Sequence, residues 1–125
     1  MTSPKTVFLF YTKCVDAERE DELSTWYDDV HIPDVEAIPG FTTCTRYHLT
    51  DRSLAEQGTG SSGSAHEATY LSIVEAEVGL DDAISRLREA SQDWRGRGRM
   101  IDLFQVLSAE IVTVANPSQR RGSPQ

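Results

Sequence analysis

The chain is poor in most of the residues that advertise a chemistry. It has two cysteines and three histidines among 125 residues. Cys14 and Cys44 stand alone, in neither metal-ligand nor redox spacing, and read as small buried hydrophobes. The histidines His31, His48 and His66 form no H-E-x-x-H and no close pair, so a metal site is not expected. No G-x-S-x-G elbow and no dinucleotide fingerprint occurs, and no lysine follows the glycines as a phosphate loop would need. Basic residues are scarce as well: 12 against 20 acidic, for a net charge of −8. A chain of that sign repels nucleic-acid phosphates and anionic membrane surfaces, so neither partner is expected. Apolar runs are short, the longest being Val7–Tyr11 and Ile111–Ala115, far below a membrane span. Met1–Lys5 is not followed by an apolar signal core, so the expected location is cytoplasmic.

What is present reads as alternating strands and helices. Thr6–Lys13 is β-branched and aromatic and predicts a first strand. Val7, Leu9 and Tyr11 fall on one face, Phe8, Phe10 and Thr12 on the other. Both faces carry large apolar groups, so both are expected to be covered. Ala17 to about His31 has helical spacing at Leu23, Trp26, Tyr27 and Val30. Asp16 is a suitable N-cap, and Glu18, Glu20, Asp21 and Glu22 suit the positive end of the helix dipole. Pro33 disfavours continuation, with one further turn available at Val35–Ile38 before Pro39-Gly40. Phe41–Thr50 and Ala68–Val74 predict two more strands, joined by a Gly/Ser-rich loop over Asp51–Glu67.

A second helix is expected over Leu80–Gly96, with Leu80, Ala83, Ile84, Leu87 and Ala90 inward and Gly96 and Gly98 ending it. Arg95, Arg97 and Arg99 suit its C-terminal dipole. Ile101–Ala115 predicts a last strand, bent near Ser108-Ala109, and residues 116–125 a disordered tail. The order is βαββαβ in one α+β domain, residues 1–115: a ferredoxin-like antiparallel four-stranded sheet with two helices on one face. Phe8 and Phe10, with apolar residues of the last strand, suggest that a second sheet covers the other face in a homodimer.

The candidate site centres on His31. An imidazole at a helix end among Asp28, Asp29 and Asp34 can move a proton near neutral pH; it can equally cap carbonyls or pair with a carboxylate. Asp28 lies three residues before His31, within helical reach. Trp26 and Tyr27 read as core or cleft wall. Tyr11, Tyr47 and Tyr70 can each present a phenol to a cavity. Arg46 and His48 share a face of the second strand with Cys44, and a buried arginine there needs an acidic ligand or a carboxylate such as Glu110.

The pattern Trp26-x4-His31-x-Pro33, then Pro39-Gly40-Phe41 and Arg46-Tyr47, resembles the EthD-like branch of the dimeric α+β barrel superfamily. The resemblance covers the element order over about Thr6–Ala115. It implies two copies paired through their sheet faces, and a small, mostly apolar cavity between helices and sheet. The superfamily includes polyketide cyclases, muconolactone isomerases, cofactor-free quinone-forming monooxygenases, haem-handling relatives and stress-related proteins of unknown role. His31 matches the recurrent histidine after the first helix. The expectation is a cofactor-free cyclase or isomerase acting on a small aromatic, polyketide-like or lactone substrate. His31 would be the proton carrier, Asp28 or Asp34 would set its pKa, and Tyr11, Arg46 or Tyr70 would steady an enolate oxygen. Trp26, Tyr27 and His48 would complete the substrate contacts. The alternatives are a cofactor-independent monooxygenase of phenols and a non-catalytic dimeric small-molecule binder.

Overall fold

The structure, a computed structural model, describes residues 4–50 and 67–116. The expected loop and tail, with His66, lie outside the described residues apart from Glu67 and Asn116. Four antiparallel strands, β1 (Thr6–Cys14), β2 (Phe41–His48), β3 (Tyr70–Ala76) and β4 (Phe104–Thr113), form one sheet in the order β2-β3-β1-β4. Together with two helical stretches this is the ferredoxin-like α+β arrangement. Among the described residues, no helix is long and apolar enough to cross a membrane.

The first helical stretch differs from its expected form. A short 3-10 turn, Ala17–Arg19, is capped by Asp16, whose carboxylate accepts from the Glu18 N–H at 3.0 Å. It leads into α1 (Glu20–Trp26), a π turn (Tyr27–His31) and α2 (Ile32–Glu36). Pro33 therefore does not stop the helix. Proline lacks an N–H and its ring crowds the carbonyl one turn back. The wider turn immediately before it, in which the Ile32 N–H reaches back to the Tyr27 carbonyl, lets the helix pass.

That turn also sets the inward face. Leu23, Tyr27, His31 and Val35 are all buried, at a constant spacing of four. Each step of four overshoots a 3.6-residue turn by about 40°. In a regular α-helix, three steps would carry Val35 about 120° off the face of Leu23. The π turn takes up part of this drift, so His31 points inward with Tyr27.

Helix α3 spans Leu80–Gly96, as its sequence predicts. Ala83 and Trp94 are buried, but Leu80 is 43% exposed and does not belong to the inward stripe. Beyond Arg97 the backbone turns at Gly98, φ +70°, where the Gly98 and Arg99 N–H groups return to the carbonyls of Arg95 and Trp94. This delivers Arg99 to the first helical stretch. Its guanidinium grips Asp34 through two hydrogen bonds, of 2.7 and 2.9 Å, and its carbonyl accepts from the Trp26 indole at 2.8 Å.

Strand phase corrects the expected placement of Phe8 and Phe10. Both point towards the helices: Phe8 is buried in the main core with Tyr27, Val35, Ile38, Phe41, Cys44, Val74 and Trp94, and Phe10 packs against that cluster. Among the described residues, the opposite face carries no helix. The register aligns Tyr47–Leu71–Tyr11 and Thr45–Ile73–Leu9 across it, with Val7 beside Val112. β4 starts at Phe104 because residues 101–104 form a turn closed by the Phe104 N–H to the Ile101 carbonyl. The expected bend is a register shift opposite Tyr11/Thr12, where Ser108 and Val106 pair with successive β1 residues and Leu107 is extra.

Candidate functional site

Between α3, the π turn and the sheet lies a cavity of about 210 Å³. It is lined by Phe10, Tyr27, His31, Ser72, Val74, Leu87, Ser91, Trp94, Arg95, Met100, Phe104 and Val106. His31 is the basic nitrogen group deep among these apolar walls. Its ring stacks on Trp26 at 4.8 Å between centroids and 21° between planes, and meets Tyr27 and Trp94 edge-on at 5.0 and 5.4 Å. Phe104 closes the fourth side at 5.4 Å. Among the described residues no hydrogen bond holds the imidazole, and ring packing positions it.

Burial among these rings pushes the His31 pKa down to about 4; Asp34 opposes the shift through its charge. The imidazole is therefore neutral at physiological pH and offers one nitrogen lone pair to the cavity. A stability consequence follows. The folded pKa lies below the unfolded value of about 6.5, so between those values the unfolded chain binds more protons. Stability from this group is complete above about pH 6.5 and is lost as pH falls towards 4, at a slope of at most ~1.4 kcal/mol per pH unit. Urea unfolding at pH 7.5, 6 and 5 should show this decline, and a His31→Gln variant should flatten it.

The second polar feature of the cavity is a hydroxyl pair. Tyr27 Oη lies 2.5 Å from Ser72 Oγ and 3.6 Å from Cys44 Sγ. Burial raises the Tyr27 pKa, keeping the phenol a neutral donor. Burial likewise pushes the Cys44 thiol up to about 11, so it carries no thiolate near neutral pH.

The structure brings together some of the residues singled out from the sequence and separates others. Tyr27 lines the cavity beside His31, and Trp26 forms the wall behind the imidazole. Asp34 is within electrostatic reach of His31 but is committed to Arg99. Asp28 and Asp29 are exposed on the outer side of the π turn. Tyr11 lies on the opposite face of the sheet, because Phe10 and Thr12 on either side of it face the helices.

Arg46, His48 and Tyr70 form a separate cluster that does not line the cavity. The Arg46 guanidinium lies 3.6 Å over the Tyr70 ring and 5.0 Å from the Tyr27 ring, and donates to Ser24 Oγ at 3.1 Å. The Tyr70 hydroxyl donates to Glu20 at 2.5 Å, and His48 stacks on the Tyr70 ring at 4.7 Å. Glu110, on β4 at the far edge of the sheet, pairs with Leu9 on the other face and is not the partner of Arg46. Sequence reading missed Ser72, Trp94, Arg95 and Phe104 as cavity residues. The alternation of β3 indicates the face of Ser72, but nothing local marks the tertiary approach of α3.

Among the described residues no cluster of three or more His, Cys, Asp or Glu side chains is arranged to hold a metal ion. The fold and the site together define a small ferredoxin-like α+β domain with a histidine at the wall of an aromatic cavity. A solved structure with this fold is HapK from Hahella chejuensis, similar at a TM-score of 0.57 and 9% sequence identity over 94% of this chain and 99% of that one. No protein-family profile and no curated protein matches the sequence.

Proposed function

We propose that the protein is a cofactor-free enzyme of cyclase or isomerase type, in which His31 transfers a proton on a small aromatic, polyketide-like or lactone substrate. The observation that carries this reading is a neutral imidazole lining an apolar cavity, with no hydrogen bond to its nitrogens among the described residues. A C–H next to a carbonyl loses its proton to the imidazole lone pair, and the electron pair moves to the carbonyl oxygen as an enolate. The hydrogen-bonded Tyr27–Ser72 pair, on the same cavity wall, has one hydroxyl proton left to donate to that oxygen. The imidazolium then returns the proton at a different carbon, or to the oxygen when a ring has closed. With the substrate filling the cavity, the imidazolium and enolate stabilise one another more than they would in bulk water. The Asp34 charge favours the protonated ring at the moment it forms.

The low basicity of His31 supports a second reading, binding without turnover, with the imidazole accepting a hydrogen bond from a phenolic O–H. Hydrogen–deuterium exchange into an enolisable aromatic ketone in D₂O, followed by NMR, separates the two. His31-dependent exchange supports the enzyme, and saturable binding without exchange supports the binder.

The helix-free sheet face, with Leu9, Leu71 and Ile73 half-buried and Tyr47 and Val112 exposed, belongs in this reading to a homodimer contact. The chain should sediment as a dimer. An Ile73→Lys substitution should convert it to monomer with its circular dichroism unchanged.

A further inference from the structure

The chain carries 20 acidic and 12 basic residues, yet the cavity and the groove it opens into reverse that balance. The groove runs along the seam between α3 and β4, lined by Phe8, Ile84, Arg88, Ala109 and Ile111 among others. It shares Phe10, Leu87, Ser91 and Arg95 with the His31 cavity. Among the described residues, two arginines and no carboxylate line this continuous space. The neighbouring arginines are committed elsewhere: Arg97 pairs with Asp93, and Arg99 with Asp34. Among the described residues Arg88 and Arg95 have no carboxylate partner. Leu87, Ser91 and Arg95 recur every four residues, so one ridge of α3 passes from apolar wall to hydroxyl to cation at the mouth.

We infer that this site selects an anionic substrate: a planar one- or two-ring aromatic or enolic acid. Its ring system lies against Phe10, Trp94 and Phe104, and its carboxylate sits at the mouth on Arg95, with Arg88 alongside. The inference rests on the proposed use of the His31 cavity and adds the charge of the ligand and the residues that read it. The cavity, at about 210 Å³, suits one or two fused rings at its buried end. A carboxylate cannot be the buried end, because that end holds a neutral imidazole and neutral hydroxyls among aromatic rings, where an unpaired anion is costly. The acid must face outwards, and the arginines are there. Arg95 is a specificity residue in this arrangement and takes no part in the proton transfer.

The test uses 3-hydroxy-2-naphthoate and its neutral carboxamide in isothermal titration calorimetry at low ionic strength. The acid should bind about fivefold more tightly than the amide, the upper end for a solvent-facing ion pair, and raised salt should erode the difference. In Arg95→Gln the acid should fall to within about twofold of the amide; Arg88→Gln should show a smaller loss. Equal binding of acid and amide by the unsubstituted protein, a preference that survives in Arg95→Gln, or failure of both compounds to bind overturns the proposal. The preference should persist in His31→Ala, because the charge is read at the mouth. Loss of proton exchange as the enzyme's activity and loss of carboxylate preference are thus separate results.

Discussion

Replacing His31 by alanine is expected to lower the proton-exchange rate by about a hundred- to ten-thousand-fold, the range typical of a positioned general acid–base group. Among the described residues the cavity places no second titratable base to take over: its other polar side chains are Tyr27, Ser72, Ser91, Trp94 and Arg95. Because the imidazole is also packed between Trp26 and Trp94, truncation removes ring contacts as well as a base. His31→Gln keeps most of the volume and should retain the circular dichroism spectrum while losing the same rate. The pH profile is a second readout. With the His31 pKa pushed down to about 4, the rate should stay on a plateau from pH 8 to about 5 and fall below that. A surface-like histidine would lose activity near 6.5 instead. Full exchange by a folded His31→Gln protein would end the enzymatic reading and leave the binder.

The second large effect concerns stability at the turn after α2. Gly40 has φ +87°, a backbone region that side chains rarely enter. A Cβ there would lie 2.7 Å from Val78 Cγ1 and 3.1 Å from Arg86 Nη1. The surroundings are also fastened: the Gly40 carbonyl accepts from Glu77 N–H at 2.7 Å, and Arg86 donates to the Pro39 carbonyl at 2.7 Å. Backbone strain of about 1–3 kcal/mol and overpacking of similar size both oppose Gly40→Ala. The expected loss is therefore about 3 kcal/mol, or roughly 10 °C in the melting temperature. Gly79→Ala is the matched control. Its φ is −68° and an added Cβ meets nothing within 4 Å, so its melting temperature should change little. Equal melting temperatures for the two variants would show that the turn is not strained by a side chain.

Several features were legible because their causes are local. Asp16 caps the first helical turn, Leu80–Gly96 is helical from end to end, and Gly98 ends that helix with a left-handed turn, each by the chemistry of a few neighbouring residues. Pro33 misled because proline removes one hydrogen bond and imposes one clash, and a single wide turn accommodates both without ending the helix. The phase of β1 was readable, but its covered face was not. Val7, Leu9 and Tyr11 are as apolar as Phe8 and Phe10, so alternation alone does not say which set meets the helices. Arg46 and Tyr70 share the helix-facing side of the sheet with the cavity residues, yet they associate with Glu20 and Ser24 instead.

The chain by itself determined the order of its elements and hence the ferredoxin-like class, because hydrophobic period, caps and turn residues act over a few positions. It also marked the segment from Trp26 to Gly40 as chemically distinctive. Only the tertiary structure decided that the imidazole of His31 faces inward, since that depends on how far a π turn rotates four-residue spacing. It alone decided that Ser72, Trp94, Arg95 and Phe104 join that imidazole in one space, because they come from β3, α3 and β4 and meet only when the sheet and helices pack.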